Sequence, residues 1–149
     1  METTYMKSAD HEQEEIALIV DDCEVNRTIL RTMLHILDNS IMVMEACNGR
    51  KGLDMFKVMV DQGYNLRYIF MDYHMPIMDG DESITAMCQY LKEKTGKTVR
   101  EYGKVKAVMV TANTDYRVKD ACEGCTKCSR TVMYKPVSKE AISKILAYE

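Results

Sequence analysis

The sequence predicts an α/β protein built on one parallel sheet with helices on both faces. Three observations predict it. Short, continuous apolar runs alternate along the chain with stretches of helical spacing. The runs carry apolar residues at consecutive positions, as strands buried on both faces do. Each informative run also ends abruptly in a polar or charged residue, so chemistry gathers at one edge of the sheet.

The elements follow in order. Residues 1–15 are polar, with His11, Glu12, Gln13, Glu14 and Glu15 in a row, and form a flexible N-terminal tail or linker. The ordered domain begins at Ile16 and covers 16–149. Ile16-Ala17-Leu18-Ile19-Val20 is the first strand and stops at Asp21-Asp22. A helix over 24–38 carries Val25, Ile29, Met33, Leu34 and Leu37 at helical spacing. Ile41 to Glu45 is the second strand. A second helix, 48–60, sets Leu53, Phe56 and Val60 on one side. Tyr68-Ile69-Phe70-Met71 is the third strand and ends at Asp72. A third helix runs from Asp81 to Lys94, and a polar loop from Thr95 to Lys104 follows. Ala107-Val108-Met109-Val110 is the fourth strand and ends at Thr111. A fourth helix is expected over 114–124. Val132-Met133-Tyr134 is the fifth strand, ending at Lys135, and the last helix covers 138–147 with Ser138 as its N-cap. Five strands and five helices result, with no second domain and no repeat.

Composition agrees with a soluble globular chain. Of 149 residues, 46% are hydrophobic and 29% charged, and the net charge is −3. No apolar run approaches the ~18 residues that span a bilayer, and the N-terminus lacks the order of a signal peptide. A cytoplasmic or nuclear location is expected, without membrane contact by this segment. Direct nucleic-acid binding is not expected, because that calls for a basic stripe. The six cysteines are expected as free thiols, and the 13 methionines as core filler.

The strand ends carry the functional signal. In an open parallel α/β sheet the ligand crevice lies beyond the carboxyl ends of the strands. Asp21, Asp22, Asp72, Thr111 and Lys135 therefore converge from four separated positions. An Asp after a strand is usually a turn or cap residue, so each alone is weak, but together they form a site. Two like charges ~4 Å apart repel by roughly 4 kcal/mol at an effective dielectric of 20. Three carboxylates held together call for a cation, and an all-oxygen set suits Mg2+. Lys135 and one Mg2+ bring the three carboxylates to neutrality. A carboxylate can act as a nucleophile toward phosphorus, and Asp72, at the end of a central strand, is the candidate. Thr111 offers a hydroxyl and Lys135 a point charge to phosphoryl oxygens.

These residues carry a family resemblance. Val20-Asp21-Asp22-Cys23-Glu24-Val25-Asn26-Arg27 resembles the first signature of response-regulator receiver domains. Met71-Asp72-Tyr73-His74-Met75-Pro76-Ile77-Met78-Asp79-Gly80 resembles their phosphorylation-site signature, while Val110-Thr111-Ala112 and Tyr134-Lys135-Pro136 match the remaining two. The likeness covers about residues 16–147 and is strongest to the receivers of hybrid histidine kinases. It implies a flavodoxin-like sheet in the order 2-1-3-4-5. It implies that Asp72 is phosphorylated, that Asp22, Asp72 and the backbone carbonyl of His74 ligate Mg2+, and that Asp21 acts mainly through a metal-bound water. Thr111 and Lys135 would hold phosphoryl oxygens, and Lys135–Pro136 would be cis. The implied partner is a histidine-containing phosphotransfer protein or a histidine kinase, docking near the first helix, with a weak homodimer as a further option. The implied role is a switch that catalyses its own phosphorylation and slow dephosphorylation. It is either the receiver of a hybrid kinase or a stand-alone response regulator.

Some positions depart from the family pattern. The aromatic or His switch residue three positions before the lysine is replaced by Val132. Tyr134 is not expected to substitute, because adjacent strand residues point to opposite faces. His74 borders the site and is expected to be an exposed loop residue, with Asn113 treated alike. Cys122, Cys125 and Cys128 form C-x-x-C-x-x-C, but zinc wants four ligands and no fourth is nearby. Lys92 to Lys106 reads as a solvated connection of unusual length. Two other functions are open to this pattern. A binding-only module would have lost one of the five site residues. A flavin mononucleotide protein would need a Gly-, Ser- or Thr-rich phosphate loop where Asp21-Asp22 stand.

Overall fold

One strand of the sheet is wholly apolar and buried along its length, IALIV at residues 16–20, and the other four keep their charged residues at or next to their ends. The computed structural model describes residues 14–99, 101–102, 105–112 and 130–147. It has strands β1 (Ile16–Val20), β2 (Met42–Ala46), β3 (Leu66–Asp72), β4 (Lys106–Thr111) and β5 (Arg130–Tyr134). Helices α1 (Glu24–Leu37), α2 (Gly49–Gln62), α3 (Gly80–Thr95) and α4 (Lys139–Ala147) alternate with them. All pairings are parallel, and the order is β2-β1-β3-β4-β5, as the resemblance implied. The helix expected over 114–124 lies outside the described residues.

The central strands feed two cores, one on each face. Ile16, Leu18 and Val20 of β1 enter the core beneath α2 and α3, with Ile69 and Met71 of β3. Ala17 and Ile19 enter the opposite core, with Tyr68 and Phe70. This alternation is the two-residue period of a strand. The β1–β3 register slips between Ile16 and Ala17, passing over Arg67. Leu66 and Ile69 consequently share a core although they are three residues apart.

Helix ends follow local chemistry. Asn48 Oδ1 accepts from the Lys51 N–H at 2.8 Å, and Asp79 Oδ1 from the Glu82 N–H at 2.9 Å. Ser138 caps α4, accepting from the Ala141 N–H at 3.1 Å, as expected. Gly63 and Gly96 end α2 and α3 in the left-handed conformation (φ +70° and +73°).

Three expectations are corrected. In α1 the buried pair is Leu30 and Leu34, whereas Val25, Ile29 and Leu37 face solvent. Helical spacing identifies a stripe but not which stripe meets the sheet. The connection after α3 is not merely solvated: Val99 and Val105 are buried and Tyr102 packs on the core. Tyr134 lies in register with Thr111 across β4–β5, so the two share a face of the sheet. Tyr134 and Val132 are two residues apart, and opposite facing separates only adjacent residues.

Candidate phosphoacceptor site

The site forms where β1, β3, β4 and β5 end side by side. Val20 pairs with Met71, so Asp21 and Asp72 leave neighbouring strands at the same level. Carboxylate oxygens of Asp21, Asp22 and Asp72 all lie within 4.8 Å of one another. Asp21 and Asp72 are buried, and Asp22 is exposed. Lys135 Nζ donates to Asp72 Oδ1 at 3.1 Å and to Asp21 Oδ2 at 3.2 Å. The Cys23 N–H donates to the other Asp21 oxygen at 2.8 Å. Thr111 is almost wholly buried at the end of β4, and its carbonyl accepts from the Lys135 N–H at 2.8 Å. Beside the carboxylates a cleft of about 100 Å³ opens, walled by Ile29, Leu30, Phe70, Val110 and Pro136.

Electrostatics follow from this crowding. Burial first, and then the charge of Asp21, push the Asp72 carboxyl up to about 6, with Lys135 pulling it back only in part. For Lys135, burial alone pushes the ammonium down. The hydrogen bond and charge of Asp72, then those of Asp21, outweigh it and hold the ammonium above its usual range. Three carboxylates against one ammonium leave the cluster two charges negative. The donor set is all hard oxygen, so the residues fit a divalent cation of the Mg2+ kind.

The loop after Asp72 is tightly braced. The Tyr73 N–H donates to the Val110 carbonyl at 3.0 Å, and the Gly80 N–H to the Tyr73 carbonyl at 2.7 Å. A Cβ on Gly80 would stand 2.1 Å from the Asp72 carbonyl oxygen, and one on Gly49 2.4 Å from the Met78 carbonyl oxygen. Both approaches require glycine. Ser83 Oγ, fully buried, donates to the Gly49 carbonyl at 2.8 Å. Ile77 holds a left-handed φ of +73° at the exposed tip.

The expected residues fall as follows. Asp21, Asp22, Asp72 and Lys135 are brought together, with Thr111 on the adjoining strand end. His74 is exposed in the loop, its ring edge-on to Tyr73 with centroids 4.7 Å apart. The Lys135–Pro136 bond is cis. Val132 is partly buried beside Met109. Cys23, Cys47 and Cys88 form no disulfide. Asn113, Cys122, Cys125 and Cys128 lie outside the described residues. Sequence reasoning assigned no role to Gly80, Gly49 or Arg27. Gly80 and Arg27 both stand inside the quoted signatures, which was the available signal.

Comparisons with known proteins bear on this arrangement. The family described as response regulator receiver domain matches residues 17–147. The osmosensing histidine protein kinase SLN1 of Saccharomyces cerevisiae is 36% identical over 63 residues, covering 42% of this chain and 5% of the kinase. The two-component response regulator ORR41 of Oryza sativa is 28% identical over 130 residues, covering 87% of this chain and 90% of ORR41. Among solved structures, the co-crystal of the S. cerevisiae histidine phosphotransfer protein Ypd1 with the receiver domain of Ssk1 matches with a TM-score of 0.67 and 26% identity. It covers 89% of this chain and 86% of that one. The fold, the ordered signatures and a match over nearly the whole described domain place the chain in the response regulator receiver domain family of two-component signalling.

Proposed function

We propose that this receiver accepts a phosphoryl group from a phosphohistidine onto Asp72, in a reaction that depends on Mg2+, and changes conformation in response. The observation that carries the reading is the buried Asp72 carboxylate, hydrogen-bonded to Lys135 and crowded by two further carboxylates.

Each residue has a task. An Asp72 carboxylate oxygen attacks phosphorus. The P–N bond of the donor breaks, its electron pair returns to the imidazole ring, and an acyl phosphate forms. Asp72 reacts as the carboxylate, so a carboxyl raised to about 6 still leaves most of it ionised at pH 7. Lys135 is already held against Asp72 and Asp21, close enough to pair with an incoming phosphoryl oxygen. Thr111, at the adjoining strand end, offers its hydroxyl to another. Asp21, Asp22, Asp72 and the His74 carbonyl would hold the cation, which supplies the positive charge that lets carboxylates and phosphoryl oxygens share one crevice. The exposed Ile29 of α1, which lines the apolar cleft, and the exposed Val25 one turn before it offer a surface for the phosphodonor. The Ypd1–Ssk1 pairing of the solved relative supports a histidine-containing phosphotransfer protein as that donor, with a histidine kinase as the other source.

Intact-mass measurement tests the reading. Wild type and Asp72→Asn are incubated with acetyl phosphate, with and without Mg2+. A Mg2+-dependent gain of one phosphoryl group in wild type, absent from Asp72→Asn, is the expected result. An unmodified wild type, also after incubation with a phosphorylated phosphotransfer protein, would sink it.

A further inference from the structure

The turn that presents Asp21 and Asp22 is held from behind by a side chain of α1. Arg27 lies one turn into that helix, and its side chain is 15% exposed. Its Nη1 donates to the Asp21 carbonyl oxygen at 2.7 Å. Its Nε lies 3.4 Å from Glu45 Oε1, on the edge strand β2. The second oxygen of Glu45 takes Arg31. The backbone supports the same link, because the Asp21 N–H donates to the Ala46 carbonyl at 3.1 Å. Asp21 is thus gripped at its carbonyl by Arg27, at Oδ1 by the Cys23 N–H and at Oδ2 by Lys135.

We propose that Arg27 is a positioning residue for the acidic site: it fixes the Asp21 peptide, and so the direction in which Asp22 is presented, while Glu45 fixes Arg27. The inference rests on the reading of this site as cation-dependent. Arginine suits the task because its planar fork donates to a carbonyl and a carboxylate at once, which the single ammonium of lysine does not do in fixed geometry. An ordinary ion pair joining α1 to β2 is the competing account. It explains the Glu45 contact but not the short bond to the Asp21 carbonyl, at the start of the turn that bears the acids.

The two effects of Arg27 on a cation have opposite signs, which makes the experiment decisive. Its charge, near three carboxylates, by itself weakens cation binding; its grip strengthens binding by ordering the ligands beforehand. Wild type, Arg27→Met, Arg27→Lys and Glu45→Gln are melted across a Mg2+ titration without phosphodonor. The Mg2+ concentration giving half of the rise in Tm is compared between them. Arg27→Met is expected to need roughly 10-fold more Mg2+, as removal of a residue orienting metal ligands typically does. Arg27→Lys should fall between, and Glu45→Gln should shift about 3-fold in the same direction. The acetyl phosphate reaction of Arg27→Met should be slow at limiting Mg2+ and recover at saturation. A lower Tm with unchanged Mg2+ demand would make Arg27 a structural tie only, and a lower Mg2+ demand would leave only its charge; either overturns the inference. Should Arg27→Met not fold, Arg27→Lys and Glu45→Gln decide by the same criterion. A wild type whose Tm ignores Mg2+ would remove the underlying reading as well. One that responds while the variants match it removes only the role of Arg27.

Discussion

The two ends of the sheet treat charge in opposite ways. At the amino ends of the strands, two of the described charges find a partner or a helix terminus. Arg67 of β3 pairs with Glu15 at 3.0 Å, and Lys106 of β4 donates to the Ile145 carbonyl at 2.8 Å in the last turn of α4. At the carboxyl ends three carboxylates face one ammonium. One end closes the fold, and the other holds an unmet demand for positive charge. Two of the three, Asp21 and Asp72, are buried beside that single ammonium, which destabilises the metal-free protein. Under the proposed function, the same feature would give the site its affinity for a cation and for a group that the cation and Lys135 could jointly neutralise.

The largest way to break the functional end is steric. A methyl group at Gly80 would meet the Asp72 carbonyl oxygen at 2.1 Å and the Met71 side chain at 2.9 Å. Backbone cannot yield by that much without moving Asp72. Gly80→Ala is expected to cost about 3 kcal/mol or more in chemical denaturation, and a loss under ~1 kcal/mol would show that α3 slides freely over the end of β3.

Next in size is Asp72→Asn, and its sign is the informative part. The folded carboxyl titrates at about 6, because of burial first and Asp21 second, against 3.8 for the free group. The folded state therefore holds that proton more tightly than the unfolded chain does. The stability this gives is fully present below pH 3.8 and is lost as pH rises through about 6. Above that range the metal-free protein carries a penalty on the order of 1–3 kcal/mol. Asp72→Asn should remove it, melting above wild type at pH 7.5 without metal, with the two curves meeting below pH 4. Saturating Mg2+ should narrow the gap at neutral pH. A metal-free variant less stable than wild type at pH 7.5 would mean that Lys135 fully compensates Asp72.

How far the sequence carried the fold and the site follows from the same physics. A strand buried on both faces is apolar along its length, so Asp21, Asp22, Asp72 and Thr111 stand out as sudden polar residues, whereas Lys135 follows the half-exposed β5 and was legible only as the charge that ends a short apolar run. Register was not. Whether Tyr134 or Val132 lies beside Thr111 depends on how β5 slides against β4, and no residue in either strand states it. Nor was the buried stripe of α1. Val25, Ile29 and Met33 repeat every four residues, just as Leu30 and Leu34 do, and only the position of the sheet chooses between them. Val99 and Val105 were hidden by polar neighbours, since a lone apolar residue has no periodicity. Arg27 was visible, but what its guanidinium reaches is set by β2, eighteen residues further along the chain.

At the closed end smaller effects are expected. Lys106→Met removes a bond to a helix-terminal carbonyl and a favourable charge, and should lower stability by about 1 kcal/mol. Glu15→Gln is smaller and sharpens the contrast most directly, because it makes the same change as Asp72→Asn, a carboxylate replaced by its amide. Glu15 and Arg67 are 36% and 20% exposed in their side chains, so water screens much of their attraction. The amide keeps an acceptor within reach of the guanidinium, and only the charge is lost. A loss of about 0.5 kcal/mol is expected at low salt, shrinking toward zero in ~1 M NaCl, where the Debye length falls to about 3 Å. Replacing an acid by its amide would then destabilise at one end of the sheet and stabilise at the other. If both substitutions destabilised the metal-free protein, the carboxyl-end cluster would be as well compensated as the Glu15–Arg67 pair, and charge excess would not be what prepares the site for a cation.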